Sequence, residues 1–179
     1  MCTAVKIASN NPTSSERAES IHLQAHVKWE TGDFRSAVRL MRAAAKLGAY
    51  GSKNNLGYMY DLGIGVKKNP RLAMGWYRRA FRAGNVGSAT NIGTIYRDEM
   101  KSSLALRWFH KAVALGDIDA NLDIANLLVN RLNDPKTAVP HLKLVLKAKG
   151  GLEVTIHSQE QAAALLKKIE RKPSPRQPR

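Results

Sequence analysis

Residues 56–84 read LGYMYDLGIGVKKNPRLAMGWYRRAFRAG, and residues 92–116 read IGTIYRDEMKSSLALRWFHKAVALG. The second stretch repeats the landmarks of the first with four residues removed between its tyrosine and its alanine. Leu56-Gly57, Tyr60, Ala73, Trp76-Tyr77, Ala80 and Gly84 return as Ile92-Gly93, Tyr96, Ala105, Trp108-Phe109, Ala112 and Gly116. Working outward, Ala37, Ala73, Ala105 and Ala138 lie 36, 32 and 33 residues apart, and Gly48, Gly84, Gly116 and Gly150 lie 36, 32 and 34 apart. A period in this range is the mark of stacked helical hairpins, none of which can bury its apolar face alone.

Each hairpin can be read from spacing. Leu56, Gly57 and Tyr60 place a glycine on the inner face of a first helix, where a partner helix must come close. Ala73, Trp76, Tyr77 and Ala80 follow at i, i+3, i+4 and i+7, a core stripe of small residues flanked by large rings. On that spacing Trp76, Tyr77, Trp108 and Phe109 belong to the core and do not form a stacking platform. Asn69-Pro70 and Asp134-Pro135 set a capping acceptor before a proline at the first helical position, and Asp33 caps in the same way. Gly48, Gly84 and Gly116 follow the stripes where a left-handed terminal residue is wanted.

Residues 52–84 closely resemble the Sel1-like repeat family, a relative of the tetratricopeptide repeats. Units of that family carry A-x-x-x-L-G-x-x-Y, a G-x-G-V turn and A-x-x-W-Y-x-x-A-x-x-x-G. Ser52 stands for the first alanine, and Gly63, Gly65 and Val66 form the turn. Residues 88–116 keep the helix landmarks and lose the turn, whereas residues 18–48, with Ala25, Gly32-Asp33-Phe34, Ala37 and Ala44, look more like a tetratricopeptide unit. The fourth unit departs further: Ala125 replaces the glycine, Leu128 the tyrosine, and Pro140 falls inside the second helix, which it should bend or delay. Residues 158–171, with Ser158 and Gln161 as a capping box, should close the stack.

The reading is an all-α, right-handed α-solenoid of about four helix-turn-helix repeats plus a C-terminal capping helix. Residues 1–12 are expected to be a flexible N-terminus, 13–171 the repeat domain, and 172–179 (KPSPRQPR) a disordered basic tail. No apolar run is long enough for a secretory signal or a bilayer span, and the single cysteine, Cys2, forms no internal disulfide. A cytoplasmic setting is therefore expected, which separates the chain from the disulfide-rich secreted members of the family.

Net charge is +15. Second helices taken as 33–47, 70–83, 101–115 and 134–149 hold fifteen Lys and Arg against two acids, Asp33 and Asp134, so +13 of the +15 lies in one helix layer. Arg35, Arg39, Arg42 and Lys46 share a face by spacing; Arg71, Arg78 and Arg82, then Arg107 and Lys111, then Lys143 and Lys147 continue it. The resemblance makes this layer the convex side, hence a basic outer wall. Such a wall is either an ordinary solvated face or a surface for an acidic protein, an RNA backbone or an anionic membrane.

The resemblance also implies that partners bind the concave side, lined by first helices. The candidates there are His22, His26 and Trp29 in the first unit and Asn55, Tyr58 and Asp61 in the second. Asn91, Thr94 and Arg97 follow in the third, and Asp123, Asn126 and Asn130 in the fourth. A row of indifferent helix formers reads as a hydrogen-bonding groove or as an amide ladder between repeats. Catalytic chemistry finds no support. Gly63-Ile64-Gly65 lacks the spacing of a phosphate loop, no nucleophile and base pair is legible, and His22, His26 and Glu30 at i, i+4 and i+8 do not make a closed metal set. No metal and no cofactor is expected. The functional reading is a non-enzymatic adaptor or scaffold that holds a peptide or helix of a protein partner in the groove. The alternative is RNA or other polyanion binding through the basic face and the tail residues Lys167, Lys168, Arg171, Lys172, Arg176 and Arg179.

Overall fold

A computed structural model describes residues 12–151 and 153–171, so the expected flexible stretch, apart from Pro12, and the expected basic tail lie outside the described residues. The described residues form α1 (Ser14–Glu30), α2 (Phe34–Lys46), α3 (Tyr50–Leu62), α4 (Pro70–Arg82), α5 (Gly87–Asp98), α6 (Ser102–Ala114), α7 (Ala120–Asn130), α8 (Pro135–Lys147) and α9 (Ile156–Arg171). No β-strand occurs among them, only an isolated bridge between Gly150 and Val154. Four hairpins and a last helix are the expected all-α order. The chain divides into two compact units, Met1–Ala80 and Phe81–Arg179.

Local chemistry sets the helix ends. Asp33 accepts from the Ser36 N–H at 3.2 Å, Asn69 from Leu72 at 3.0 Å and Asp134 from Thr137 at 3.1 Å, each filling one of the donors a helix start leaves unpaired. α1 opens with a full capping box, Thr13 with Glu16, and those two bonds hold the Glu16 carboxyl below its usual range. Gly48, Gly84 and Gly116 have φ of 110°, 95° and 95°, as the spacing predicts for helix ends.

Within the first unit α1 packs on α2 and α2 on α3. Ala37, Met41, Leu56 and Met59 are fully buried in its core. Gly57 shows why this landmark is glycine: a Cβ there would stand 2.5 Å from the Tyr77 ring. Tyr77 is thus pressed against helix backbone, and burial, then Asp61 and Tyr58, push its hydroxyl pKa up. At Gly65, with φ +67°, a Cβ would stand 2.5 Å from the Phe34 carbonyl oxygen, so the turn glycine is required both by conformation and by close approach.

The second unit repeats the device. A Cβ at Gly93 would stand 2.6 Å from Phe109, which is fully buried. Burying a ring of this size contributes roughly 1.5–3 kcal/mol. α5 packs on α6, α6 on α7, α7 on α8, and α9 on both α8 and α7. Of the four stripe aromatics, Tyr77 and Phe109 are buried. Trp76 and Trp108 are only half-buried, with the Arg79 guanidinium 4.8 Å from the first ring and the Lys111 ammonium 4.2 Å from the second. The short third repeat turns without glycine: Met100 takes φ 61° and is exposed.

Three local expectations need correction. α9 is capped by Thr155, whose hydroxyl accepts from the Ser158 N–H at 3.1 Å, while Gln161 bonds His157; the helix starts one turn before the expected Ser158 box. Gly150, which keeps the period of the helix-ending glycines, does not itself end α8. α8 stops at Lys147, the positive φ falls on Gly151, and Gly150 gives room to Gln159, which donates to the Ala148 carbonyl at 2.8 Å. Of the two effects expected of Pro140, the delayed start does not occur: α8 starts at Pro135 and runs through Pro140, which is exposed and leaves the buried stripe Ala138, Leu142 and Val145 intact.

Candidate functional site

Side chains on consecutive first helices bond to one another. In the first unit, His22 Nδ1 shares a 2.7 Å hydrogen bond with the buried Ser52 hydroxyl, and Asn55 donates to His26 Nε2 at 3.2 Å. Both bonds run from α1 to α3. The two imidazoles meet edge to face at 4.6 Å, and burial, then His26, lower the His22 pKa, which favours its neutral form. Asn55 also reaches the Met41 sulfur at 3.9 Å. Three of the expected groove residues are therefore joined by bonds between repeats, the ladder that sequence left as the other reading.

Aromatic groups form a second feature of the first unit. Tyr58 is exposed, and its ring lies 6.0 Å from that of the half-buried Trp29, which meets Phe34 edge-on at 5.4 Å. Asp61 is half-buried beside them in sequence. In the second unit, Arg97 on α5 reaches Asp123 on α7 at 3.4 Å and its own neighbour Asp98 at 3.0 Å. Burial pushes the Asp123 carboxyl up to about 6; Arg97 opposes this, and Asp117 and Asp119 add to it. Thr90 donates to Asp117 at 2.6 Å, and Asp117 in turn accepts from the Ala120 N–H, so one carboxylate ties α5 to the start of α7.

Asn91 and Thr94 are half-buried on α5. Asn126 and Asn130, one turn apart on α7, line a cavity of about 320 Å³ with Gln161, Ala164, Leu165 and Lys168 of α9. The capping helix thus supplies half of a recess whose other half sequence had assigned to the groove. A larger cavity, about 500 Å³, opens in the first unit between the start of α1 and the start of α3, with Glu19, His22 and Tyr50 among its walls.

All ten predicted basic-face residues, Arg35, Arg39, Arg42, Arg71, Arg78, Arg82, Arg107, Lys111, Lys143 and Lys147, are exposed. Arg42 also donates to the Tyr60 hydroxyl and lies 5.7 Å from its ring, a contact between α2 and α3 that spacing did not reveal. No group of three or more His, Cys, Asp or Glu that could hold a metal ion is present among the described residues. No helix among them is long and apolar enough to cross a membrane.

Paired helices with small residues at each crossing, repeated at 32 to 36 residues, define a helical-repeat protein of the α-solenoid class. The chain belongs to the Sel1 repeat family, whose family model, described as Sel1 repeat, matches residues 27–48, 52–85 and 92–117. It is 27% identical over 96 residues to a sel1-like repeat-containing protein of Acanthamoeba polyphaga mimivirus, an alignment covering 54% of this chain and 17% of that protein. The chain thus spans a small part of the length of this relative. Among solved structures, a Sel1 repeat protein from Oxalobacter formigenes superposes with a TM-score of 0.64 at 19% identity, covering 86% of this chain and 72% of that one. YrrB, described as a tetratricopeptide-repeat protein with an unusual peptide-binding site, superposes with a TM-score of 0.57 at 18% identity, covering 90% and 86%. Repeats of this class generally mediate protein–protein interaction.

Proposed function

We propose that the chain is a non-enzymatic adaptor whose first-helix layer receives a peptide or helix from a protein partner. The observation that carries this reading is the exposed Tyr58, 43% accessible, resting beside Trp29 on the neighbouring first helix. Tyr and Trp are enriched among the few residues that carry most of the binding energy of protein interfaces, with a polar rim around them. The peptide-binding site named for YrrB supports the same use of the fold. Asn126, Asn130 and Thr94 are the remaining polar candidates, since Asn55 is engaged by His26 and Arg97 by Asp123. The basic second helices offer an additional contact for an acidic partner.

One observation favours the second reading, polyanion binding: the ten basic-face residues are all exposed, and two second helices pair a half-buried Trp with a cation. The test is retention of partners from lysate by the immobilised chain, with and without nuclease, and by Tyr58→Ala and Arg39→Glu/Arg78→Glu variants. A protein retained after nuclease and lost from Tyr58→Ala supports the adaptor. Retention that vanishes with nuclease and from the double charge variant moves the function to the basic layer, as does a steep fall with added salt.

A further inference from the structure

Asn121 on α7 is a buried amide, 2% exposed, whose two ends have separate duties. Its Nδ2 donates to the Ile118 carbonyl at 3.1 Å, which turns Oδ1 toward His141 Nδ1 at 2.8 Å on α8. A carbonyl oxygen only accepts, so the proton must sit on His141 Nδ1 and the ring lone pair on Nε2. His110, exposed on α6, brings its ring to 5.6 Å from that of His141, centroid to centroid, at an interplanar angle of 55°. Two imidazoles on one tetrahedral ion, each with a metal–nitrogen bond of about 2.0–2.1 Å, have centroids about 5 Å apart.

We propose that His110 and His141 form an open two-histidine site for a late first-row divalent metal ion, with Asn121 as the residue that positions His141. Imidazole pairs suit zinc, copper and nickel, and a ligating histidine characteristically donates its other ring N–H to an oxygen acceptor, the role Asn121 fills here. Burial, and then His110, hold the His141 pKa below its usual value, which keeps the ring neutral and able to ligate near neutral pH. No third His, Cys, Asp or Glu completes a set with them among the described residues, so the other positions fall to water or to a partner's side chain. Arg107 and Lys111 on the same helix as His110 oppose a cation, which places the affinity with weak, open sites and not with closed structural zinc sites. A bound ion would tie α6 to α8, second helices of successive repeats, and raise the stability of the second unit by mass action.

The test is titration of zinc sulfate into the full chain, free of tags and stripped of metal, followed by calorimetry and by imidazole-nitrogen NMR. The expected result is one saturable ion per chain, shifts at Nε2 of His141 and at one ring nitrogen of His110, and a loss of affinity of about tenfold or more in His110→Ala and in His141→Ala. His110→Ala leaves the buried amide untouched, so its outcome does not depend on the fold surviving loss of His141. In the metal-free chain, His141 should be the Nδ1–H tautomer. Absence of saturable binding, an unchanged affinity in His110→Ala, a loss that instead follows His22→Ala or His26→Ala, or an Nε2–H tautomer at His141 overturns the proposal.

Discussion

Gly57 and Gly93 occupy equivalent positions facing Tyr77 and Phe109, and each leaves no room for a methyl group. Replacing either with alanine forces a buried ring to move, an overpacking cost of about 1–3 kcal/mol that denaturant melts of Gly57→Ala and Gly93→Ala should register. Equal unfolding midpoints for wild type and variants would show that the rings shift freely. Asp123 makes a pH-dependent prediction. Its folded pKa, about 6, lies above the usual value of 3.8, so the protonated form favours the fold. That contribution is complete below the unfolded value and is lost as pH rises through about 6. Asp123→Asn should therefore melt higher than wild type at neutral pH, and the gap should narrow as pH falls through that window. A gap that widens on acidification would mean that the Arg97 pair dominates over burial. At this scale sequence could name Asp123 and Arg97 as neighbours of a groove, yet their bond joins residues 26 apart in the chain. No local spacing encodes it.

Helices start where the caps Asp33, Asn69 and Asp134 place them, and these were legible because capping is decided within four residues. α8 carries Pro140 at an exposed site, where the ring removes one helix donor and disturbs the Lys136 carbonyl. Pro140→Ala should stabilise the protein by about 1–3 kcal/mol, read as a higher melting temperature without a change in helix content. α9 contributes Ala162 and Leu165 to the core formed with Leu142, Val145 and Val154, and its Gln159 closes the carbonyl end of α8. A chain ended at Lys149 should lose cooperative unfolding of the second unit and expose apolar surface, seen as dye binding; an unchanged melt would make α9 dispensable. The cap of α9 was misassigned from sequence because Thr155 and Ser158 both offer hydroxyls three residues before a usable partner. Which one starts the helix depends on how far α9 must reach along α8 and α7.

Across the whole molecule the unbalanced charge is the dominant electrostatic fact. With +15 overall and +13 in the second helices, like charges repel in the folded chain more than in the expanded one. Raising salt from low to moderate concentration should therefore raise the melting temperature, and Arg39→Glu/Arg78→Glu should reduce that dependence. A melt that falls with salt would show that ion pairs outweigh repulsion. The sequence by itself determined the repeat period, the helical hairpins, the glycines at the helix crossings and the shared face of the basic residues, because all of these follow from spacing along one or two helices. Tertiary structure alone decided which polar side chains are taken up between helices: His26 with Asn55, Thr90 with Asp117 and Arg97 with Asp123 between repeats, and Asn121 with His141 within the fourth hairpin. Each pair joins residues 20 to 29 apart in the chain, and its geometry depends on how one helix seats against another. That seating is set by the packing of the whole hairpin, so His26, Asn55, Arg97 and Asp123 read as groove residues in one dimension and as cross-braces in three.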